Sequence, residues 1–235
     1  MKISVLGATG RTGQVIVEQA LAAGHTVTAL VRRPEGLTVT GEKLIVLVGD
    51  ARDPAMIEQL VAGQDAVICS LGIPASGRTR DEINDDVRAD VCTVSTKLLF
   101  DAMPPHGVKR IVLMSTHGAG GSQDGSPYVL WLRDLVKNRV LDKDDMEAFI
   151  AQSNAPVDWT VIRNPAIYEG ESGRTHAVYT QIELNRSSQI TYADLAAFAL
   201  SEVSAPQHLG QFLTITEPLD DATLMADATV AAPCA

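Results

Sequence analysis

Short apolar runs rich in β-branched residues alternate along this chain with segments whose apolar residues recur at helical spacing. The strand-like runs are residues 3–6, 26–31, 44–48, 66–69, 110–114 and 159–162. Between them, residues 14–21, about 54–62, 84–103 and 128–152 are helix candidates, the first stopped by Gly24. Runs that are apolar throughout, rather than at every second position, belong to strands covered on both faces. Their alternation with helices predicts a parallel sheet. Right-handed crossovers then make a doubly wound α/β sheet, a single domain over residues 1–216, the economical topology. Residues 217–235 are rich in Ala and Asp, lack periodicity, and form a tail with no assigned role.

A length of 235 residues suits one such domain, and 46% hydrophobic against 20% charged residues is enough to build a core. The formal charge of −10 argues against nucleic acid and anionic membrane as partners. Cys69, Cys92 and Cys234 show neither C-x-x-C spacing nor a histidine cluster, so no metal and no disulfide framework is expected. No run reaches the ~18 apolar residues of a membrane span, and the N-terminal run is too short for a secretion signal. The sequon Asn185-Arg186-Ser187 is then a chance match. The expectation is a soluble cytoplasmic protein, monomeric or a small homo-oligomer, acting on a small molecule.

The most specific chemical signal is Gly7-Ala8-Thr9-Gly10-Arg11-Thr12-Gly13, which follows a strand-like run and opens a helical one. In that context Gly7 permits a tight turn and Gly10 lets the backbone meet a pyrophosphate with no Cβ in the way. Gly13 allows close helix–strand packing. Backbone N–H groups and the positive helix end attract the anion. Gly7, Thr9, Gly10, Arg11, Thr12 and Gly13 therefore read as a dinucleotide cradle in a Rossmann-type sheet.

The second strand-like run ends in Arg32-Arg33-Pro34, where an NAD binder usually places a carboxylate for the ribose hydroxyl. A guanidinium fork suits a 2′-phosphate, so NADP(H) is the expected cofactor, and Arg11 can approach the same phosphate. Asp50 and Ala51 follow the third run, where an acid can accept from the adenine amino group. Ser70, Leu71 and Gly72 follow the fourth, where glycine lets the chain pass close to ribose or phosphate. Residues 115–127 are glycine-rich and follow the fifth run. They read either as a plain connection or as an active-site loop, since doubly wound sheets bind ligands at the carboxyl ends of their strands.

These residues resemble a known family. The loop at 7–13, the Arg32-Arg33 pair, Gly49-Asp50 and Asp158-Trp159-Thr160-Val161-Ile162-Arg163-Asn164-Pro165 are similar to the atypical short-chain dehydrogenase/reductases. Within these, the chain resembles the NmrA-like and biliverdin-reductase-B or flavin-reductase-like NAD(P)H-binding proteins. Ile190-Thr191-Tyr192-Ala193-Asp194-Leu195-Ala196 is similar to their late helix start, with Thr191 as N-cap. The resemblance spans residues 1–216. It implies that Pro165, Ala166 and Ile167 lie beside the nicotinamide and that Ser115 sits at the reactive end of the cofactor.

The wider superfamily carries Y-x-x-x-K, with tyrosine as general acid. Here Tyr128, Tyr168, Tyr179 and Tyr192 are followed four residues on by Leu132, Ser172, Glu183 and Ala196. Reduction of an isolated carbonyl creates an alkoxide that needs a prompt proton, so the missing motif disfavours ordinary alcohol dehydrogenase chemistry. A conjugated acceptor (flavin, quinone or tetrapyrrole) spreads the incoming charge and can take its proton from water. Ser115 is the candidate for hydrogen bonding to the acceptor or nicotinamide, and His117 the candidate proton source. Lys143, flanked by Asp142, Asp144 and Asp145, reads as part of a solvated helix face, and Trp131 as core or lid packing. Two classes remain open: an NADPH-dependent reductase of a planar acceptor, and a non-catalytic NADP(H) sensor of NmrA type. An epimerase- or lyase-like activity stands behind both.

Overall fold

The computed structural model describes residues 1–72 and 89–219. In chain order it comprises β1 (Lys2–Leu6), α1 (Arg11–Ala22), β2 (Thr26–Val31), β3 (Leu44–Val48), α2 (Pro54–Val61) and β4 (Ala66–Cys69). After these come α3 (Val91–Ala102), β5 (Arg110–Thr116), α4 (Pro127–Gln152), β6 (Asp158–Asn164), β7 (Ala166–Tyr168) and β8 (Ala177–Tyr179). The last elements are β9 (Gln189–Thr191), α5 (Tyr192–Ser204) and β10 (Gln211–Thr216). All six strand-like runs form strands. The helix expected over 84–103 is α3 where it is described, and its residues 84–88 lie outside the described residues, as does the tail from residue 220 with Cys234.

Eight strands lie in the order β3-β2-β1-β4-β5-β6-β10-β8, and β7 and β9 form a separate parallel pair. Every pairing in the large sheet is parallel except that of β10 with β8. The chain runs outward from β1 through β2 to β3, then returns to the other side of β1 as β4. That reversal is the switch point at which doubly wound sheets hold ligands. The doubly wound α/β architecture read from the sequence is the observed one.

Alternation along β1 shows how the sheet is covered. Ile3 and Val5 are fully buried against Ile16 and Val17 of α1 and Leu195 of α5. Leu6 points the other way, into a second cluster with Ile57 and Leu60 of α2, Leu99 of α3 and Ile150 of α4. Each such side chain contributes about 1.5–3 kcal/mol by leaving water.

Helix starts follow from local chemistry. Asp53 caps α2 through the N–H of Ala55, Ser126 caps α4 through Val129, and Thr191 caps α5 through Asp194. The expected cap at Thr191 is thus in place. α1 is the exception: its N-cap is Gly10, which has no side chain to offer.

Candidate functional site

A cavity of about 740 Å³ opens at the carboxyl ends of β1, β4, β5 and β6. Gly10, Arg11 and Thr12 reach it from the loop after β1, and Ser70, Leu71 and Gly72 from the segment after β4. Ser115 reaches it from β5, and Asn164, Pro165 and Ile167 from the end of β6 onward. Val136, Arg139, Val140 and Lys143 form the α4 wall, and Tyr192 enters from the first turn of α5. Nine of the residues singled out in the sequence therefore meet in one cavity: Gly10, Arg11, Thr12, Ser70, Leu71, Gly72, Ser115, Pro165 and Ile167.

The glycine loop has the geometry its spacing suggests. Gly7 has φ +77°, and a Cβ there would collide with the carbonyl of Ser70 on the neighbouring strand's extension. A Cβ on Gly13 would collide with the Gly7 carbonyl, so the first turn of α1 lies directly on the loop. The N–H of Gly10 closes the turn onto the Gly7 carbonyl at 2.9 Å. At Gly10 itself a Cβ would meet only that carbonyl, at 3.2 Å, and the space beyond belongs to the cavity. With no side-chain cap, the first N–H groups of α1 are available to an anion. The residues present fit the pyrophosphate of a dinucleotide.

The next strand ends along the same edge hold the other expected cofactor residues. Thr9 is exposed, its methyl close to Gly36 in the segment after β2. Arg32 and Arg33 are exposed beyond β2, and Asp50 and Ala51 follow β3; these four, and Ala166, lie outside the cavity lining. Arg52, which the sequence did not single out, donates to Asp50 from its backbone N–H at 2.9 Å, Nε at 3.2 Å and Nη2 at 3.0 Å. These bonds, with Arg32 nearby, hold the Asp50 carboxyl below its ordinary pKa.

Ser115 sits at the centre of a buried network. Its hydroxyl donates to Oε1 of Glu147 at 2.6 Å, and Arg163 donates to the same carboxylate from Nη2 at 2.6 Å and from Nε at 3.2 Å. All three residues are buried. A Cβ on Gly120 would strike Glu147, so the glycine-rich loop can fold over this carboxylate only without side chains. The loop is also tied to α4: Gly120 donates to Asp144 at 2.8 Å, and Arg133 clamps Asp144 at 2.7 and 3.1 Å. It is an anchored loop.

Three expectations need correction. His117, the candidate proton source, is not a cavity group: it is 1% exposed, its Nδ1 lies 3.1 Å from the Thr214 hydroxyl, and it is absent from the cavity lining. Burial drives its pKa down to about 4, so at neutral pH it is uncharged and carries no proton ready to give. Lys143, expected on a solvated face, is 9% exposed and lines the cavity, donating to the carbonyls of Leu71 at 2.8 Å and Met114 at 2.6 Å. Burial opposes its charge, but the Cys92 and Cys69 sulfurs first, and Asp142 after them, favour the ammonium and push its pKa above the ordinary lysine value. The flanking acids misled because Asp142 is itself buried, accepting from the N–H groups of Cys92 and Thr93 at 2.9 Å each. Trp131, read as core or lid packing, is not in the core: it is 39% exposed, beneath Arg186 and beside Tyr128.

Burial keeps both cysteines of the described residues in the thiol form at neutral pH. Both are buried, and burial pushes the Cys92 thiol up to about 12.

Among the described residues no helix is long and apolar enough to cross a membrane. The chain is similar to YwnB of Bacillus subtilis, 24% identical over 92% of this chain and 98% of that one. It spans little more than half the length of several longer relatives, among them a chloroplastic protein of Arabidopsis thaliana that is 31% identical over 69% of this chain and 58% of its own. Among solved structures, the anaerobillin reductase ChuY of Escherichia coli O157:H7 superposes with TM-score 0.75 at 19% identity, over 94% of this chain and 99% of that one. SP1627 of Streptococcus pneumoniae, a candidate NADH-flavin reductase, gives TM-score 0.71 at 21% identity, over 93% and 100%. These likenesses show the same fold. The NAD(P)H-binding family matches residues 7–206, from the turn glycine of the cradle to the end of α5, and the chain belongs to it.

Proposed function

We propose that this protein is an NADPH-dependent reductase that transfers hydride to a planar conjugated acceptor, such as a flavin, a quinone or a tetrapyrrole. The observation that carries this reading is what stands around Lys143. In Y-x-x-x-K spacing the tyrosine would fall one helical turn earlier, and that position is Arg139. Among the described residues the tyrosine of the cavity is Tyr192, which comes from another element. The hydroxyl proton of Ser115 is already given to Glu147. Among the described residues no tyrosine stands one turn before the cavity lysine, which suits an acceptor able to delocalise charge until water supplies the proton.

When bound, the nicotinamide supplies a hydride from C4. The protein's part is binding and orientation. The N–H groups opening α1 hold the pyrophosphate, and Arg32, Arg33 and Arg11 take the 2′-phosphate. Pro165 and Ile167, which line the cavity, pack beside the nicotinamide. With its proton committed, Ser115 presents only lone pairs to the cavity and so accepts from an amide N–H of cofactor or acceptor. Lys143, fixed by two carbonyls, brings its charge to the cavity, where it steadies the electron-rich acceptor. The ChuY and SP1627 likenesses support the same class of reaction.

The test is NADPH absorbance followed in parallel with FMN, a small quinone and biliverdin. Oxidation is expected with at least one of these and little with aliphatic aldehydes or ketones. Tight cofactor binding without turnover on any acceptor would replace the reductase by the NADP(H) sensor. Brisk ketone reduction would point to Tyr192 as a general acid, with Tyr192→Phe as the check.

A further inference from the structure

We infer that the acceptor carries a carboxylate or phosphate and that Arg139 holds it, an inference that rests on the reductase reading above. Arg139 lies on α4 one turn before Lys143 and lines the same cavity. Among the described residues, its Nε is buried and has no hydrogen-bond partner. Buried polar groups are nearly always satisfied, and a cationic donor left unpaired is costly. Such a donor on a cavity wall is completed by a ligand.

The surrounding charges point the same way. Arg11 and Lys143 are the other cations of the lining, and Asp142 is its one carboxylate among the described residues. Asp142 is already engaged: Cys92 and Thr93 donate their backbone N–H groups to it, and the Thr93 hydroxyl donates at 2.8 Å. Among the described residues, positive charge is thus concentrated in the cavity of a chain whose formal charge is −10. A low-dielectric cleft lined by one sign of charge draws the opposite one. Arg11 belongs to the cofactor loop, and Lys143 has two of its protons fixed on carbonyls. Arg139 remains, and its planar fork matches the paired oxygens of a carboxylate or phosphate better than an ammonium does. The turn of α4 that would carry an acid in Y-x-x-x-K enzymes carries an anion receptor instead.

Two ligand pairs isolate the charge while keeping the ring system fixed: FMN against riboflavin for phosphate, and biliverdin against its dimethyl ester for carboxylate. Each is titrated into protein saturated with NADP⁺, with flavin fluorescence or bilin absorbance as the readout, so that no turnover is needed. In at least one pair the anionic member should bind about 10-fold or more tightly, the scale of a charge-assisted hydrogen bond. In Arg139→Gln that ratio should fall to near 1, and in Arg139→Lys it should be partly retained. Whichever pair shows the ratio identifies the group. A ratio near 1 in the parent protein, a ratio that survives Arg139→Gln, or no binding of any of the four overturns the inference. If the ratios behave as expected but NADPH is not consumed, the reductase reading fails and the anion receptor stands.

Discussion

The Ser115 hydroxyl donates its only proton to Glu147 across 2.6 Å, and that carboxylate is held from its other side by Arg163. The direction of this bond decides what Ser115 can do. A hydroxyl whose proton is committed faces the cavity as an acceptor, and cannot serve as an acid.

Glu147 therefore fixes both stability and the polarity of Ser115. Glu147→Leu strands the Arg163 guanidinium in the interior, a change expected to cost about 3–5 kcal/mol. Ser115→Ala leaves the ion pair intact and should cost only about 0.5–1.5 kcal/mol. Urea denaturation of both variants checks the contrast. Equal losses would mean that the ion pair is not what holds Glu147.

The glycine loop separates binding from folding. Gly10→Val places its side chain where only the Gly7 carbonyl is near, at 3.2 Å, and then projects into the cavity. The variant should fold and lose at least ~10-fold in NADPH affinity, since the side chain would keep the pyrophosphate from the N–H groups that open α1. Gly7→Ala meets the Ser70 carbonyl at a positive φ and should destabilise the fold itself by about 1–3 kcal/mol. Circular dichroism melts beside cofactor titration distinguish the two. Unchanged NADPH affinity in folded Gly10→Val would remove the cradle from the site.

How much of this was legible in the sequence differs by element. The glycine loop and the strand runs were plain because their signals are local: spacing, β-branching and position after a strand. β3 shows the limit. Its five apolar residues read as a strand covered on both faces, yet it lies at the sheet edge with Ile45 54% and Val48 55% exposed. Composition does not encode a strand's place in the sheet. The strands β7, β8 and β9 have three residues each, too few for a period to show. Lys143 and Glu147 had a weak signal: with Val140, Met146 and Ile150 they fall at three- and four-residue spacings on one face of α4, all buried. A charged residue on an otherwise apolar stripe is the mark that their acidic neighbours obscured. Arg163 lies in the segment that carried the family resemblance, but its partner is sixteen residues away on another element, and only the fold brings them together.

His117 gives the protein a pH-dependent term. Its folded pKa, about 4, lies below its ordinary 6.5, so between these values the unfolded chain binds the extra proton and the native one does not. The contribution is fully present above pH 6.5, declines as pH falls, and is gone below about pH 4. The difference converts to at most about 3 kcal/mol. Stability of the parent minus that of His117→Gln, measured by denaturation across this range, should rise with pH. Because His117 lies outside the cavity, the pH profile of NADPH oxidation should keep its shape in the variant. A lost or shifted limb would return His117 to the chemistry.

Cofactor choice rests on Arg32 and Arg33, exposed at the end of β2, beside the cradle that follows β1. Arg32 is close enough to Asp50 to favour that carboxylate's charged form, while Arg52 supplies its hydrogen bonds. Asp50 is thus largely satisfied by Arg52, and we propose that both guanidinium groups beyond β2 serve a ligand. A charge-assisted hydrogen bond contributes about 1.5–3 kcal/mol, roughly one to two decades of affinity. NADPH should therefore bind at least ~10-fold more tightly than NADH. Replacing both residues, Arg32→Ala with Arg33→Ala, should weaken NADPH and leave NADH nearly unchanged, because only NADPH carries the 2′-phosphate. Added salt should narrow the gap, since both groups are exposed and their attraction is screened over a Debye length of about 10 Å at 0.1 M. Titration of both cofactors into both proteins at two salt concentrations decides it. Equal parent affinities, or an equal loss of both cofactors in the double variant, would show that this pair does not read the phosphate, and the selectivity would pass to Arg11.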